Sequence, residues 1–217
     1  MIRIFKSPAP EWITRNRERL TNDFLTDQSK SPWRHEHIKS ALTRETHSKC
    51  AYCESYIAAV GYVNVEHIRP KSRFPRLVLE WTNLVSACSR CNTNKGDYYS
   101  SEYPLIDPTS EDPSRHLVFM GAATFPYPGN RRAIDTIEVL QLNRADLFHQ
   151  REKRINELLA LLHSRKHCNT EMESVLDTAI AAHFEPASEY SAALLKFFND
   201  MPGLQPKAPS ERIEGTA

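Results

Sequence analysis

The 217-residue chain carries almost no excess of charge of either sign: 28 Lys and Arg face 27 Asp and Glu. No global basic field therefore announces a nucleic-acid partner. There is no apolar run of about 18 residues, which excludes a helical membrane span of the usual kind, and no fixed-period repeat, which excludes a solenoid. The opening MIRIFKSPAP lacks an apolar stretch after its basic residues. No route to an oxidising compartment is expected from it, and the location expected is the cytoplasm. Cysteine is scarce, five in all. Four of the five form two Cys-x-x-Cys pairs, Cys50/Cys53 and Cys88/Cys91. In a reducing compartment such pairs read as metal knuckles rather than disulfides, because the short loop inside each pair lets both thiolates reach one ion. One structural Zn2+ on four cysteines is the expectation.

Between the knuckles lie residues suited to a hard-metal hydrolytic site. Glu66 and His67 are adjacent, Asn83 follows, and Asn92 stands directly after Cys91. YVNVEH (62–67) alternates as a strand, and NLVSA (83–87) is short enough to return beside it. The interval from Ile68 to Arg76 holds two prolines and four basic residues and reads as a loop. Past Cys91 a helix is expected, with Asn92 near its start and Lys95 on the same side. Hydrolysis of a phosphodiester needs an activated water, a cation for the phosphorane and groups that hold the phosphate. His67 is the best general base in the stretch. Glu66 and Asn92 offer hard oxygen ligands for Mg2+, with Mn2+ as a substitute. Arg69, Lys71 and Lys95 are the cations placed to hold phosphate.

Glu66-His67-Ile68-x-Pro70-x-Ser72, then Asn83-Leu84 and Cys88-x-x-Cys91-Asn92-x-x-Lys95, resembles an HNH endonuclease of the ββα-metal type with an attached four-cysteine zinc site. The resemblance implies His67 as general base, Glu66 and Asn92 as catalytic metal ligands, and Asn83 as the residue that fixes the loop and orients His67. It also implies cleavage to a 5′-phosphate and a 3′-hydroxyl. Glu66 stands where Asp is frequent and Asn92 where His is frequent, which favours Mg2+ over softer ions. Trp81, Leu105-Ile106-Asp107-Pro108, Glu111-Asp112-Pro113 and Leu142-Asn143-Arg144 resemble the branch associated with Septu systems and some retrons. That branch implies a role in bacterial anti-phage defence beside an ABC/SMC-like (PtuA-like) ATPase, with a retron reverse transcriptase and its DNA as further partners, and no membrane. DNA is the expected substrate, with RNA such as tRNA as the second. The competing class is a zinc-stapled module that binds nucleic acid or a partner without cutting.

The fold expected is α+β: a ββα-metal unit with its zinc site, embedded in flanking α-helices. Residues 1–45 read as an N-terminal helical segment, with a second helix beginning at Ser31-Pro32-Trp33 and with His35 and His37 on different faces. Residues 46–100 form the nuclease core. Residues 101–201 are a proline-rich irregular connector followed by C-terminal helices that bind the partner, and 202–217 form a frayed tail. Asn143 is expected to cap one of those helices, and Thr170 with Glu173 to form a capping box for the next. Their apolar stripes are expected to be core, with any surplus around Leu194 to Phe198 serving as the ATPase-docking face. Asp107, Glu111 and Asp112 read as turn residues, and His163, His167 and Cys168 as an ordinary helix end.

Overall fold

Pro10 closes an extended N-terminal stretch and delivers the chain into α1 (Glu11–Thr26), which buries Ile13 and Phe24. The computed structural model describes residues 1–57, 63–201 and 203, so the tail expected over 202–217 and Tyr62 lie outside it except for Gly203. Ser31-Pro32-Trp33 leads not into a helix but into a single 3-10 turn (Pro32–Arg34), and α2 (Glu36–Glu45) follows with His35 at its N-cap. His35 and His37 consequently stack with ring centroids 5.2 Å apart instead of diverging.

The first knuckle is a tight hairpin: Cys50 N bonds to Ser55 O at 2.9 Å and Ile57 N to Ser48 O at 2.9 Å. β1 (Asn64–His67) pairs antiparallel with β2 (Leu84–Ala87), setting Glu66 opposite Val85 and His67 opposite Leu84. Ala51 N stitches the first knuckle to β2 through Ser86 O at 2.9 Å. α3 (Ser89–Lys95) starts before Cys91 rather than after it, because Cys88 Sγ accepts from Cys91 N at 3.4 Å and acts as the N-cap. Gly96 ends α3 at φ +50° and ψ −124°, a conformation that belongs to glycine.

The β1–β2 sheet separates two cores. Val65 and Leu84 join Ile13, Phe24, Trp33, Ile38, Leu42 and Trp81 on one side. Val85 and Ala87 join the four cysteines, Ile106, Leu117, Phe119, Leu142 and Tyr190 on the other. Residues 1–45 thus share a continuous apolar core with the strands that carry Glu66 and His67.

The connector is more regular than its prolines suggest. β3 (Leu117–Met120) and β4 (Ala123–Pro126) form a second antiparallel hairpin, and α4 (Arg131–Leu140) follows, capped by Asn130 through Ala133 N at 3.0 Å. Asp107 accepts from Thr109 N at 2.8 Å and Asp112 from Ser114 N at 3.0 Å, the turn roles expected of them. Asn143 does not cap α5 (Ala145–His167); its amide instead bonds Thr124 N and O, both at 2.7 Å, and ties the hairpin to α5. α6 (Thr170–Ala182) is capped by Asn169 through Met172 N at 3.1 Å, while Glu173 pairs with Arg165. The expected box gives way because Arg165 draws the Glu173 carboxylate across to α5. α6 buries Ile180 but leaves Met172 and Val175 exposed, so its stripe is only partly core. In α7 (Ser191–Asn199) Leu194 is buried, which reduces the surplus apolar surface to Leu195 beside half-buried Phe197 and Phe198. No described helix is long and apolar enough to cross a membrane.

Arg151 holds this half together from inside. It is 2% exposed, donates to Ala122 O at 3.2 Å and Leu142 O at 2.8 Å, and lies over the Phe119 ring. Arg151→Met should leave both carbonyls unpaired and lower stability by about 2–4 kcal/mol in urea unfolding; a loss below about 0.5 kcal/mol would mean these bonds do not hold the hairpin to α5.

Candidate active site

β1 ends in one cleft of about 550 Å³ lined by Glu66, His67, Lys71 and Asn92, together with Trp33, Arg34, Lys39 and Asp97. An ideal strand would send Glu66 and His67 to opposite faces. His67 is the last strand residue, and the chain leaves through Ile68 towards Pro70, so both side chains border the same space.

His67 is 5% exposed, with Nε2 3.0 Å from Val78 O. A carbonyl only accepts, so Nε2 carries the proton and Nδ1 is the basic nitrogen. Trp33 packs edge-on to the ring at 5.2 Å. Burial pushes the His67 pKa down to about 4, with Lys71 and Lys95 adding to the effect against the Val78 hydrogen bond. The ring is neutral at pH 7.

Glu66 is buried against Lys95, whose Nζ is 2.5 Å from Glu66 Oε1 and donates to His67 O at 2.7 Å. Burial raises the Glu66 pKa while Lys95 opposes the shift. Lys95 is only 3% exposed and does not line the cleft; it braces the strand end, where a phosphate-holding role was expected. Arg69 also faces elsewhere, towards a neighbouring hollow of about 280 Å³, with its guanidinium over Phe74. Asn83 fixes the loop as expected: Oδ1 accepts from Arg69 N at 2.8 Å, and Nδ2 donates to Arg69 O at 3.1 Å and Leu77 O at 3.3 Å. It does not bond His67 itself; the ring is held by Val78, next to the Leu77 that Asn83 grips.

The sulfurs of Cys50, Cys53, Cys88 and Cys91 are buried and lie within 4.8 Å of one another. Cys53 and Cys88 are 3.9 Å apart, close to the roughly 3.8 Å that a tetrahedron with Zn–S near 2.3 Å requires. Among the described residues this is the one such cluster, and the His163–Cys168 end of α5 adds none. Three residues around the cluster were not anticipated. Ser55 Oγ lies 3.3 Å from Cys53 Sγ and 2.9 Å from Tyr190 Oη, and Arg144 Nη1 lies 3.8 Å from Cys91 Sγ. Burial works against the Arg144 charge, but Cys91 and Cys53 outweigh it and raise its pKa.

Residues 50–98 match the family model described as HNH endonuclease. Over 210 residues the chain is 31% identical to Septu protein PtuB of Bacillus thuringiensis, covering 89% of this chain and 80% of that one. The chain belongs to the Septu PtuB family of HNH endonucleases. Similarity extends to PtuB of Bacillus mycoides strain KBAB4, at 29% identity over 59% of this chain and 55% of that one. It extends also to the HNH protein of retron Vc95 of Vibrio cholerae serotype O1 biovar El Tor, at 28% over 72% and 84%. The protein is thus a nuclease of the kind found in defence systems, metal-dependent as HNH enzymes are, with a cysteine cluster able to hold a metal.

Glu66 and Asn92, both able to offer hard oxygen donors, border the same cleft as His67, a set that fits a small hard cation. Trp33, Arg34 and Lys39 escaped the sequence reading because they lie far upstream of the motif; Asp97 could have been found from its nearness to Asn92.

Two outcomes follow for the PtuB-type site. Cys88→Ser should weaken metal retention by the four-cysteine cluster and lower the melting temperature, because such a cluster's binding free energy is folding free energy; equal metal content and melting would exclude Cys88 as a ligand. For His67, the unfolded ring has a pKa near 6.5 and the folded ring about 4. Between those values the unfolded chain binds the extra proton, so stability should fall as pH falls from about 6.5 to 4. His67→Gln should flatten that slope in pH-dependent denaturation; parallel slopes would show that this ring is not buried neutral.

Proposed function

We propose that His67 is the general base of a metal-dependent phosphodiester hydrolysis, with Glu66 and Asn92 as the catalytic metal ligands. The observation that carries this reading is the His67 ring itself, fixed through Nε2 on Val78 O in a cleft shared with Glu66 and Asn92. His67 Nδ1 takes a proton from water as its oxygen bonds to phosphorus; the bond from phosphorus to the 3′ oxygen breaks, the oxygen leaves with the bonding pair and takes a proton from solvent water, giving a 5′-phosphate and a 3′-hydroxyl. Glu66 and Asn92 would hold Mg2+, which when bound would supply charge stabilisation to the phosphorane and the leaving oxygen. Lys71, the one expected phosphate-holding cation that lines the cleft, orients the phosphate. Asn83 keeps the loop, and through Leu77 the Val78 carbonyl, in place. Cys50, Cys53, Cys88 and Cys91 bind Zn2+ with a structural role.

We assign DNA as the substrate, with RNA as the alternative that the same chemistry would attack. The protein acts with a PtuA-like ABC/SMC-type ATPase that gates cutting, since a defence nuclease must be silent in a healthy cell; retron reverse transcriptase and its DNA belong to the same proposal.

The test is to offer plasmid and total cellular RNA together in Mg2+ to the purified protein, with and without a PtuA-like ATPase, and with His67→Ala in parallel. Cutting is expected with the ATPase present, and to fall at least about 100-fold in His67→Ala, the usual scale of a lost general base. The polymer that shortens names the substrate. Parent-like cutting by His67→Ala would remove the mechanism, robust cutting without the ATPase would remove the gating, and no cutting with it would favour a binding module.

A further inference from the structure

The cleft at Glu66 and His67 has a wall that the HNH motif does not supply. Arg34, at the end of the 3-10 turn, and Lys39, in the first turns of α2, line it together with Lys71. Arg34 is exposed and Lys39 half-buried. Several cations elsewhere on the protein are neutralised by carboxylates: Lys6 by Glu45, Arg17 by Glu80, Arg132 by Glu111. Arg34, Lys39 and Lys71 form no ion pair with a carboxylate among the described residues; Lys71 Nζ instead lies over the Trp33 ring at 5.1 Å. Of the two acids lining the cleft, Glu66 is already paired with Lys95, which leaves Asp97 at the rim. The cleft is therefore cationic locally, although the chain as a whole is nearly neutral, with a net charge of +1.

Cations that converge on a concave site without internal partners are matched by a polyanion. We infer that Arg34 and Lys39 hold backbone phosphates of the nucleic acid whose scissile phosphate sits at His67, so the N-terminal helical segment is one wall of the substrate site. Arg34 presents a planar fork that can bond two phosphate oxygens at once, and Lys39 and Lys71 act as point charges. The wall is rigid: Trp33, beside Arg34, is buried against His67, and Ile38, beside Lys39, is fully buried in the core shared with Val65 and Leu84. Phosphate contacts position a substrate without reading its sequence, so these residues set affinity and register on the cutting centre.

This inference rests on the nucleic-acid reading of the cleft, and its test separates the two. In a His67→Ala background, binding of a fluorescent DNA duplex, single-stranded DNA and RNA would be measured by anisotropy from 50 to 300 mM salt, with the metal-loaded full chain. Arg34→Ala/Lys39→Ala should weaken binding at least about tenfold near 0.1 M salt. It should also flatten the plot of log affinity against log salt by about 1.8 for duplex or about 1.4 for single strands, the slope owed to two released cation contacts. Arg34→Lys/Lys39→Arg should recover most of the slope, and Lys166→Ala on α5 should change nothing. In the otherwise unaltered enzyme the double alanine variant should raise KM at least about tenfold with a smaller change in kcat. Unchanged affinity, slope and KM in a folded double variant, while the parent still cuts, would overturn the wall and leave the nuclease reading intact. Absence of binding to all three polymers by the His67→Ala chain at 50 mM salt would overturn the wall as well, and cutting by the parent would then decide the nuclease reading on its own.

Discussion

Four sulfurs gathered within 4.8 Å in a buried position are the constraint from which the rest of the nuclease unit hangs. As thiolates they would repel one another strongly in that low dielectric, and a bound cation converts the repulsion into attraction. The gathering fixes two distant stretches of chain at once. Cys50 and Cys53 bring the first knuckle onto β2 through Ala51, and Cys88 ends β2 while capping α3. Asn92 is then placed one residue beyond Cys91 on a helix of fixed start, so its place on the cleft follows from the cluster. Arg144, at the head of α5, and Tyr190, just before α7, reach the same sulfurs directly or through Ser55. Such surrounding partners orient metal ligands and moderate their charge. They also connect the C-terminal helices to the part of the molecule that carries the chemistry.

The second organising feature is the position of the β1–β2 sheet between two cores. Alternation sends Val65 to the α1–α2 side, while Glu66 turns away from it to meet Lys95 on α3. A carboxylate this buried needs a partner, and removing one member of such a pair typically costs about 3–5 kcal/mol. Lys95 meets the need and also ties the strand end through His67 O. A metal ion at Glu66 must share the carboxylate with this ammonium, or displace it. Lys95 is therefore placed to affect the Glu66 carboxylate and the strand geometry together.

The candidate site was legible in the sequence wherever local spacing carried it. Two Cys-x-x-Cys pairs, Glu66-His67 and Asn92 after Cys91 are short-range patterns, and the fold brings each set together. The prolines of 100–130 concealed the β3–β4 hairpin, because LVFM and ATFP are only four residues each and the turn at Gly121 lies among other turn signals. Asn143 was misread because a residue suited to cap a helix can equally bridge a strand, and only the nearness of Thr124 decides between the two. Lys95 and Arg69 were assigned by proximity in sequence, which does not tell inward from outward. Arg34 and Lys39 gave no signal at all: a lone cation 25 or more residues upstream acquires meaning only when α2 packs beside β1.

The N-terminal helices thereby set two properties that oppose each other. Trp33 and the core behind it exclude water from His67 and hold the ring neutral, with a pKa of about 4. As the proposed base, such a ring is always available at neutral pH but pulls feebly on a proton, since proton-transfer efficiency rises with basicity until protonation begins to deplete the base. Two bound species would shift the pKa in opposite directions. A phosphate beside the ring favours the imidazolium and raises the pKa, whereas a divalent cation at Glu66 and Asn92 lowers it. The neighbouring cations Lys71 and Lys95 already depress the pKa, so an arriving polyanion that neutralises Lys71 removes part of that depression as it binds. Lys71 is thus the one charge common to the cationic lining of the cleft and to the depressed His67 pKa, whose leading cause is burial.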